Sequence, residues 1–131
     1  MALMLLAHAH GLIVTAIHVD HGLRTESASD IEVIDPVAES LGISVIVHSV
    51  QVEHGPNLEA RARAARYGVM PDDVMTGHTA DDQAETVLIN LLRGAGAQGL
   101  GAMRPGFSRP LLALRRSDTH AVCAAAGIAT V

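Results

Sequence analysis

Residues 12–19, LIVTAIHV, and residues 43–50, ISVIVHSV, are two nearly continuous runs of β-branched and aliphatic side chains. Apolar runs of this length without alternation are how strands buried on both faces of a sheet read. Residues 25–41 between them carry a helical pattern, with Thr25 or Ser27 as cap and Gly42 as stop. Strand, helix and strand in that order predict a βαβ unit and a parallel sheet, hence an α/β fold. Pro36 is awkward inside this helix, because an interior proline breaks or kinks it.

The flanking segments extend the alternation. Residues 1–10, rich in Ala and Leu, predict a buried helix stopped by Gly11. Residues 57–67 predict a helix capped by Asn57 after Pro56, and residues 73–76 a short strand. Residues 79–93 form the strongest helical pattern, closed by Gly94. A last helix is predicted over 117–126, capped by Ser117 and stopped by Gly127.

At 131 residues the chain is one domain's worth, 1–131, and 49% hydrophobic composition excludes a disordered chain. Tyr67 and Phe107 are the only aromatics, so Ala, Val, Ile, Leu and Met must build the core. One cysteine, Cys123, excludes an internal disulfide and a multi-cysteine metal site, which suits a reducing cytoplasm. The apolar start has no basic residue and runs into His8 and His10, so it reads neither as a signal peptide nor as a membrane span. The net charge of -5 is uneven: residues 1–60 hold eight acids and one arginine, residues 61–131 six acids and eight arginines. Every basic residue is arginine; a GC-rich genome is the commoner cause, and phosphate recognition by the second half is the functional one.

Four segments carry chemistry. Thr79, Asp81 and Asp82 open the strongest helix, and Asp82 stands three residues after Thr79, a capping-box spacing. Acids there are favoured by the helix dipole whatever the function. Glu85 adds to this, because Asp82 and Glu85 at i, i+3 share one face and repel unless a cation lies between them. The face follows Gly77 and His78, at the carboxyl end of a predicted parallel strand, where ligands bind in open α/β sheets. The loop at 93–101, RGAGAQGLG, has four glycines in nine residues and Arg93 at its base, which allows close backbone approach to a ligand or plain mobility. In NLEARARAARY, 57–67, Arg63 and Arg66 share a helix face while Arg61 points elsewhere; a solvated charged face is the bland alternative. Leu58, Ala62, Ala65 and Tyr67 form the more apolar side of that helix. In HVDHGLR, 18–24, a metal site on His18, Asp20 and His21 lacks a further ligand cluster, and a base or ribose contact fits a strand end better.

HVDHGLR, NLEARARAARY, GHTADDQAET running into LLRGAGAQGLGAM, and RPLLALRRSD together resemble the N-terminal catalytic domain of the tRNA(Ile)-lysidine synthetase family, within the N-type ATP pyrophosphatase (PP-loop) superfamily. The resemblance covers nearly all of residues 12–128. It implies a Rossmann-like, doubly wound parallel sheet of the adenine nucleotide alpha hydrolase kind. It also implies a two-step ligase reaction, in which ATP adenylates the C2 carbonyl oxygen of the wobble cytidine of an isoleucine tRNA and lysine then displaces AMP. Asp82, Glu85 and Arg63 would be catalytic; His18, Val19, Gly77 and His78 would line the adenosine pocket; Arg66, Arg93, Gly94 and Gly96 would meet the tRNA. The cofactors implied are ATP and the Mg2+ it carries, with no resident metal. The partners implied are the anticodon loop of the tRNA and free lysine, without a membrane, and a homodimer is admitted. Two rivals stay open: an inactive remnant or RNA-binding fragment, and another PP-loop tRNA-modifying ATP enzyme. Among the latter, the single cysteine counts against a thiolase, and LLRGAGAQGLGAM against an amide-forming ligase.

The family's SGGxDS loop, which cradles pyrophosphate at a helix N-terminus, does not occur in these 131 residues. The connection between Tyr67 and Asp73 is also short for the family. The expectation is a partial PP-loop domain over 1–131 without its first strand, from a start assigned inside the gene or a fragment. The first strand is central in a doubly wound sheet, and each buried backbone group left unpaired costs about 1–3 kcal/mol against a total stability of about 5–15 kcal/mol. The 131 residues alone are therefore expected to be poorly stable and not to hydrolyse ATP; a cooperative melt together with micromolar ATP binding would contradict this.

Overall fold

A computed structural model describes residues 1–20, 27–51, 56–94, 96 and 102–128, with backbone alone for 27–30 and 59. The chain divides into two compact units, residues 1–6 with 73–131, and residues 7–72. The boundary runs through the first helix, α1 (Ala2–Ala9). As expected, α1 ends at Gly11, whose φ of 76° is left-handed. There the Gly11 N–H donates to His8 O at 2.9 Å and the Leu12 N–H to Ala7 O at 3.1 Å. A glycine takes this conformation without the Cβ clash other residues meet.

The unit of residues 7–72 is the predicted βαβ. Strand β1 (Thr15–Asp20) pairs in parallel with β2 (Ser44–Ser49), in register Thr15↔Ser44 through Asp20↔Ser49. Helix α2 (Ser27–Ser40) connects them and packs on both. Pro36 sits inside α2 without ending it. Ala38, fully buried, and Ile43 are core residues of this unit. The helix stops at Gly42, and the Ile43 N–H returns to Ala38 O at 2.8 Å, leading the chain into β2. Of the two caps proposed for this helix, Thr25 lies outside the described residues and Ser27 is the first residue of α2.

Two expectations for the strands are corrected. The first strand starts at Thr15 rather than residue 12, and Leu12 and Ile13 are exposed. Neither strand is buried on both faces: β1 is half-buried, and Ile46 and Val47 of β2 are exposed. Each strand of a two-stranded sheet has one neighbour, and among the described residues α2 is the helix with an appreciable contact to it. Helix α3 (Leu58–Val69) runs two residues past the predicted end at Tyr67. Asn57 precedes it in the left-handed region, φ 59°, and makes no capping hydrogen bond with its side chain, so it permits the turn rather than capping by its amide.

The other unit is organised on α4 (Ala80–Leu92) and α5 (Arg116–Ala125). The predicted strand over 73–76 does not form. Thr76 turns its N–H to Ser108 O at 2.8 Å and its hydroxyl to the same carbonyl at 3.1 Å, tying this stretch to the segment before α5. The start of α4 is anchored there too: the Ala80 N–H donates to Leu114 O at 2.8 Å. One turn later, the Gln83 side-chain amide donates to Met103 O at 2.9 Å and accepts from the Met103 N–H at 3.0 Å. These bonds satisfy helix-start and loop groups that would otherwise be orphaned. Leu111, Leu112 and Cys123 are buried residues of this unit, with Ala2 and Met4 of α1. The start of α5 is a further correction, because Arg115 and not Ser117 is the N-cap. Asp118, three residues on, accepts the Arg115 N–H at 2.8 Å, and the N-cap side chain is not what binds. No helix among the described residues is long and apolar enough to cross a membrane.

The capping spacing of Thr79 and Asp82 is realised. Asp82 Oδ2 accepts both the backbone N–H and the hydroxyl of Thr79, each at 2.7 Å, and Thr79 is 3% exposed. Replacing Thr79 by alanine removes the hydroxyl donor from a buried position and is expected to cost about 1 kcal/mol, read as a lower denaturation midpoint at unchanged m-value. No change in midpoint would refute the cap.

Candidate functional site

The first two turns of α4 carry three carboxylates, and all three meet the start of α5. Arg116 occupies the first position of α5, and its Nη2 lies 3.2 Å from Asp82 Oδ1 and 2.9 Å from Glu85 Oε1. Its backbone N–H, free at a helix start, donates to Asp81 Oδ2 at 2.7 Å. The repulsion anticipated between Asp82 and Glu85 is thus answered by one guanidinium group. Sequence reasoning contained Arg116 in RPLLALRRSD without singling it out. The usable signal was the acid pair's need for a cation, but choosing among eight arginines in that half required the tertiary fold.

The two acids are not equivalent. Burial pushes the Asp82 carboxyl up, but hydrogen bonds from the Thr79 hydroxyl and N–H, followed by Arg116, outweigh it and hold the group below the usual carboxylate range. Both Asp82 oxygens are engaged, Oδ2 by Thr79 and Oδ1 by Arg116. Glu85 meets Arg116 through Oε1, and its side chain is more exposed than that of Asp82, 58% against 32%. Arg116 is raised above its already high ordinary value by Glu85 first and then Asp82, so it stays a cation throughout the working range. Chemically, the cluster offers one fixed carboxylate, one accessible carboxylate and a permanent positive charge.

Gly77 and His78 belong to the same unit and lead directly into the Thr79 cap. His78 Nδ1 is 2.8 Å from Thr76 Oγ1, which fixes the ring. A Cβ on Gly77 would meet only Leu3 Cβ at 3.8 Å, an ordinary contact, so packing does not demand glycine there. Arg93 and Gly94 are the C-cap and the left-handed stop of α4, with φ 73° at Gly94. Eight residues of helix separate them from Glu85, an axial rise of about 12 Å. Gly96 is exposed, and the rest of the loop through residue 101 lies outside the described residues.

The remaining predicted residues belong to the unit of residues 7–72. His18 and Val19 stand near the carboxyl end of β1, opposite Val47 and His48, and His18 Nε2 is buried with no hydrogen-bond partner. On α3 the guanidinium of Arg63 lies over Tyr67, 5.2 Å from the ring centroid, an i, i+4 cation–π contact. Tyr67 therefore shares the face of Arg63 rather than the apolar side predicted for it. Arg61, set aside at the sequence level, has Nε and Nη2 buried and unpartnered. His21 lies outside the described residues, and among those described no group of three or more His, Cys, Asp or Glu could hold a metal ion.

Comparison with known proteins matches these segments. The tRNA(Ile)-lysidine synthase of Mycolicibacterium paratuberculosis is 45% identical over 122 residues, covering 87% of this chain and 38% of that protein. The one from Mycobacterium tuberculosis is 46% identical over 122 residues, with the same coverage. The one from Nocardia farcinica is 42% identical over 137 residues, covering 98% of this chain and 43% of that protein. The chain thus spans about two-fifths of the length of these relatives. The PP-loop domain matches residues 1–131, the whole chain. With its parallel βαβ unit and its acid-bearing helix start, the chain belongs to the PP-loop domain family, of Rossmann-like α/β fold.

Proposed function

We propose that this chain forms part of a tRNA(Ile)-lysidine synthase, a ligase that makes a carbon–nitrogen bond on tRNA at the expense of ATP. The observation that carries the proposal is the Asp82–Arg116–Glu85 cluster, in a domain whose relatives bear that name. In the first step the C2 carbonyl oxygen of the wobble cytidine attacks the α-phosphorus of ATP and pyrophosphate leaves. In the second an amino group of lysine attacks C2, and AMP departs with the oxygen. Adenylation turns a poor leaving oxygen into a good one, and the amine must attack without its extra proton.

The asymmetry of the acid pair divides the work. Asp82, with both oxygens engaged and its carboxyl held low, is a poor proton acceptor and a good anchor for the cationic end of lysine. Glu85, exposed and held at one oxygen, is placed to take the proton the amine loses. The buried, unpartnered His18 Nε2 at a strand's carboxyl end suits a base or ribose hydroxyl of ATP, with Val19 next to it. Mg2+ would arrive on the nucleotide and help to neutralise its phosphates. Arg63 would act on phosphate charge, and Arg66, Arg93, Gly94 and Gly96 on the tRNA. Cys123, 2% exposed within α5, is poorly placed for sulfur transfer.

Two experiments on the full-length gene product test this. Glu85→Gln should lower lysine incorporation into an isoleucine tRNA with a wobble cytidine by at least about 100-fold. Its melting temperature and its pyrophosphate release from ATP should stay near wild type; full turnover by this variant would refute the proton-acceptor role. Arg93→Ala should weaken binding of the same tRNA and reduce the slope of log affinity against log salt by about one, whereas an unchanged slope would remove Arg93 from the phosphate contacts.

A further inference from the structure

The way Arg116 touches the two acids raises a question of charge. Two carboxylates with no cation between them would draw in an ammonium group and hold on to its proton, because opposite charges within about 4–6 Å favour the charged form. Such a pair would bind lysine well and activate it badly. Arg116 alters this balance. From α4 the groups facing it are Asp81, Asp82 and Glu85; beside it at the start of α5 stand the N-cap Arg115, Asp118 and, one turn on, His120. Asp118 is turned back onto the Arg115 N–H, and Asp81 takes the Arg116 backbone N–H, so neither is drawn to the guanidinium in the contacts seen. That leaves two negative charges and one positive charge sharing one nitrogen, Nη2.

We propose that Arg116 is a positioning residue that offsets one carboxylate of the pair, so that an amine bound beside Glu85 gives up its proton at neutral pH. The proposal rests on the lysine-transfer reading above and adds to it a charge-setting residue outside the acidic helix. One proton leaves the lysine ammonium for solvent on binding, and the second leaves the nitrogen for Glu85 as the carbon–nitrogen bond forms and the bond from C2 to the adenylated oxygen breaks. The bond from the Arg116 backbone N–H to Asp81 is kept in any replacement other than proline, so the start of α5 should keep its attachment to α4 in the variants used below.

The test uses the full-length gene product as wild type, Arg116→Gln and Arg116→Lys, with lysine incorporation into tRNA measured from pH 6 to pH 11, about the span needed to bracket a lysine amine. Proton release on lysine binding is measured separately by calorimetry in buffers of different ionisation enthalpy. In Arg116→Gln the acidic limb of the kcat profile should move up by about one pH unit. At neutral pH kcat should fall about tenfold and recover in alkali, KM for lysine should not rise, and fewer protons should be released on binding. Arg116→Lys should return the limb towards wild type. A uniform loss of kcat with an unmoved limb, or a limb that Arg116→Lys does not restore, would overturn the proposal and leave the lysine-transfer reading intact. If the wild type forms no lysine adduct, the transfer reading fails. Arg116 is then judged on calorimetry alone, where proton release equal in wild type and Arg116→Gln, or no lysine binding, overturns its role.

Discussion

The carboxylate of Asp82 is the point on which the acidic site depends. One oxygen closes the start of α4 by taking both donors of Thr79, and the other faces the guanidinium of Arg116. Capping and site formation are usually weighed as rival explanations of an acid in a first helical turn. Here one side chain does both, because a carboxylate has lone pairs on two oxygens pointing in different directions. The burial of Thr79 matters for the same reason: a cap shielded from water holds the side chain in one rotamer and so aims the second oxygen.

The surroundings of α4 add to that rigidity. Its first N–H is tied to Leu114 and its first turn to Met103 through Gln83, so the helix start and the segment before α5 are fixed to each other at two heights. Arg116 follows two residues after Leu114 on the same stretch. The position of the cation is therefore set by backbone hydrogen bonds to the element that carries the acids. Contacts of this kind give a site precision that two exposed ion-paired side chains could not supply alone, since exposed pairs are weak and screened by salt.

What the sequence disclosed follows how local each feature is. Helix ends were legible because glycine stops act within a few residues, and Gly11, Gly42, Gly94 and Gly127 all take the left-handed conformation that ends a helix. The cap at Thr79 was legible for the same reason. At the start of α5 the preference for serine misled, since Asp118 at the third helical position accepts the N-cap N–H whatever residue stands there. The strand over 73–76 failed because a strand exists only if a partner does, and Thr76 found Ser108 instead. The burial of β1 and β2 was overestimated because apolar patterning records what a sheet could bury, not how many neighbours it has. Arg116 was beyond local reading altogether: its contacts bridge 31 to 35 residues.

The inequality of Asp82 and Glu85 has a simple geometric origin. In a helix beginning at Ala80, Asp82 is the third residue and Glu85 the sixth. A side chain at the third position can fold back to the N-cap; one at the sixth is a further 4.5 Å or so along the axis and cannot. An i, i+3 acid pair placed at this register thus gives one carboxylate immobilised by the cap and one left on the open face. A cation arriving on the first turn of a neighbouring helix can reach both, because the third and sixth residues lie on the same side. Moving the pair one residue along would lose the cap, the second oxygen's aim and the difference between the two acids together. The register of the pair relative to Thr79, more than the presence of two acids, is what makes this helix start chemically specific.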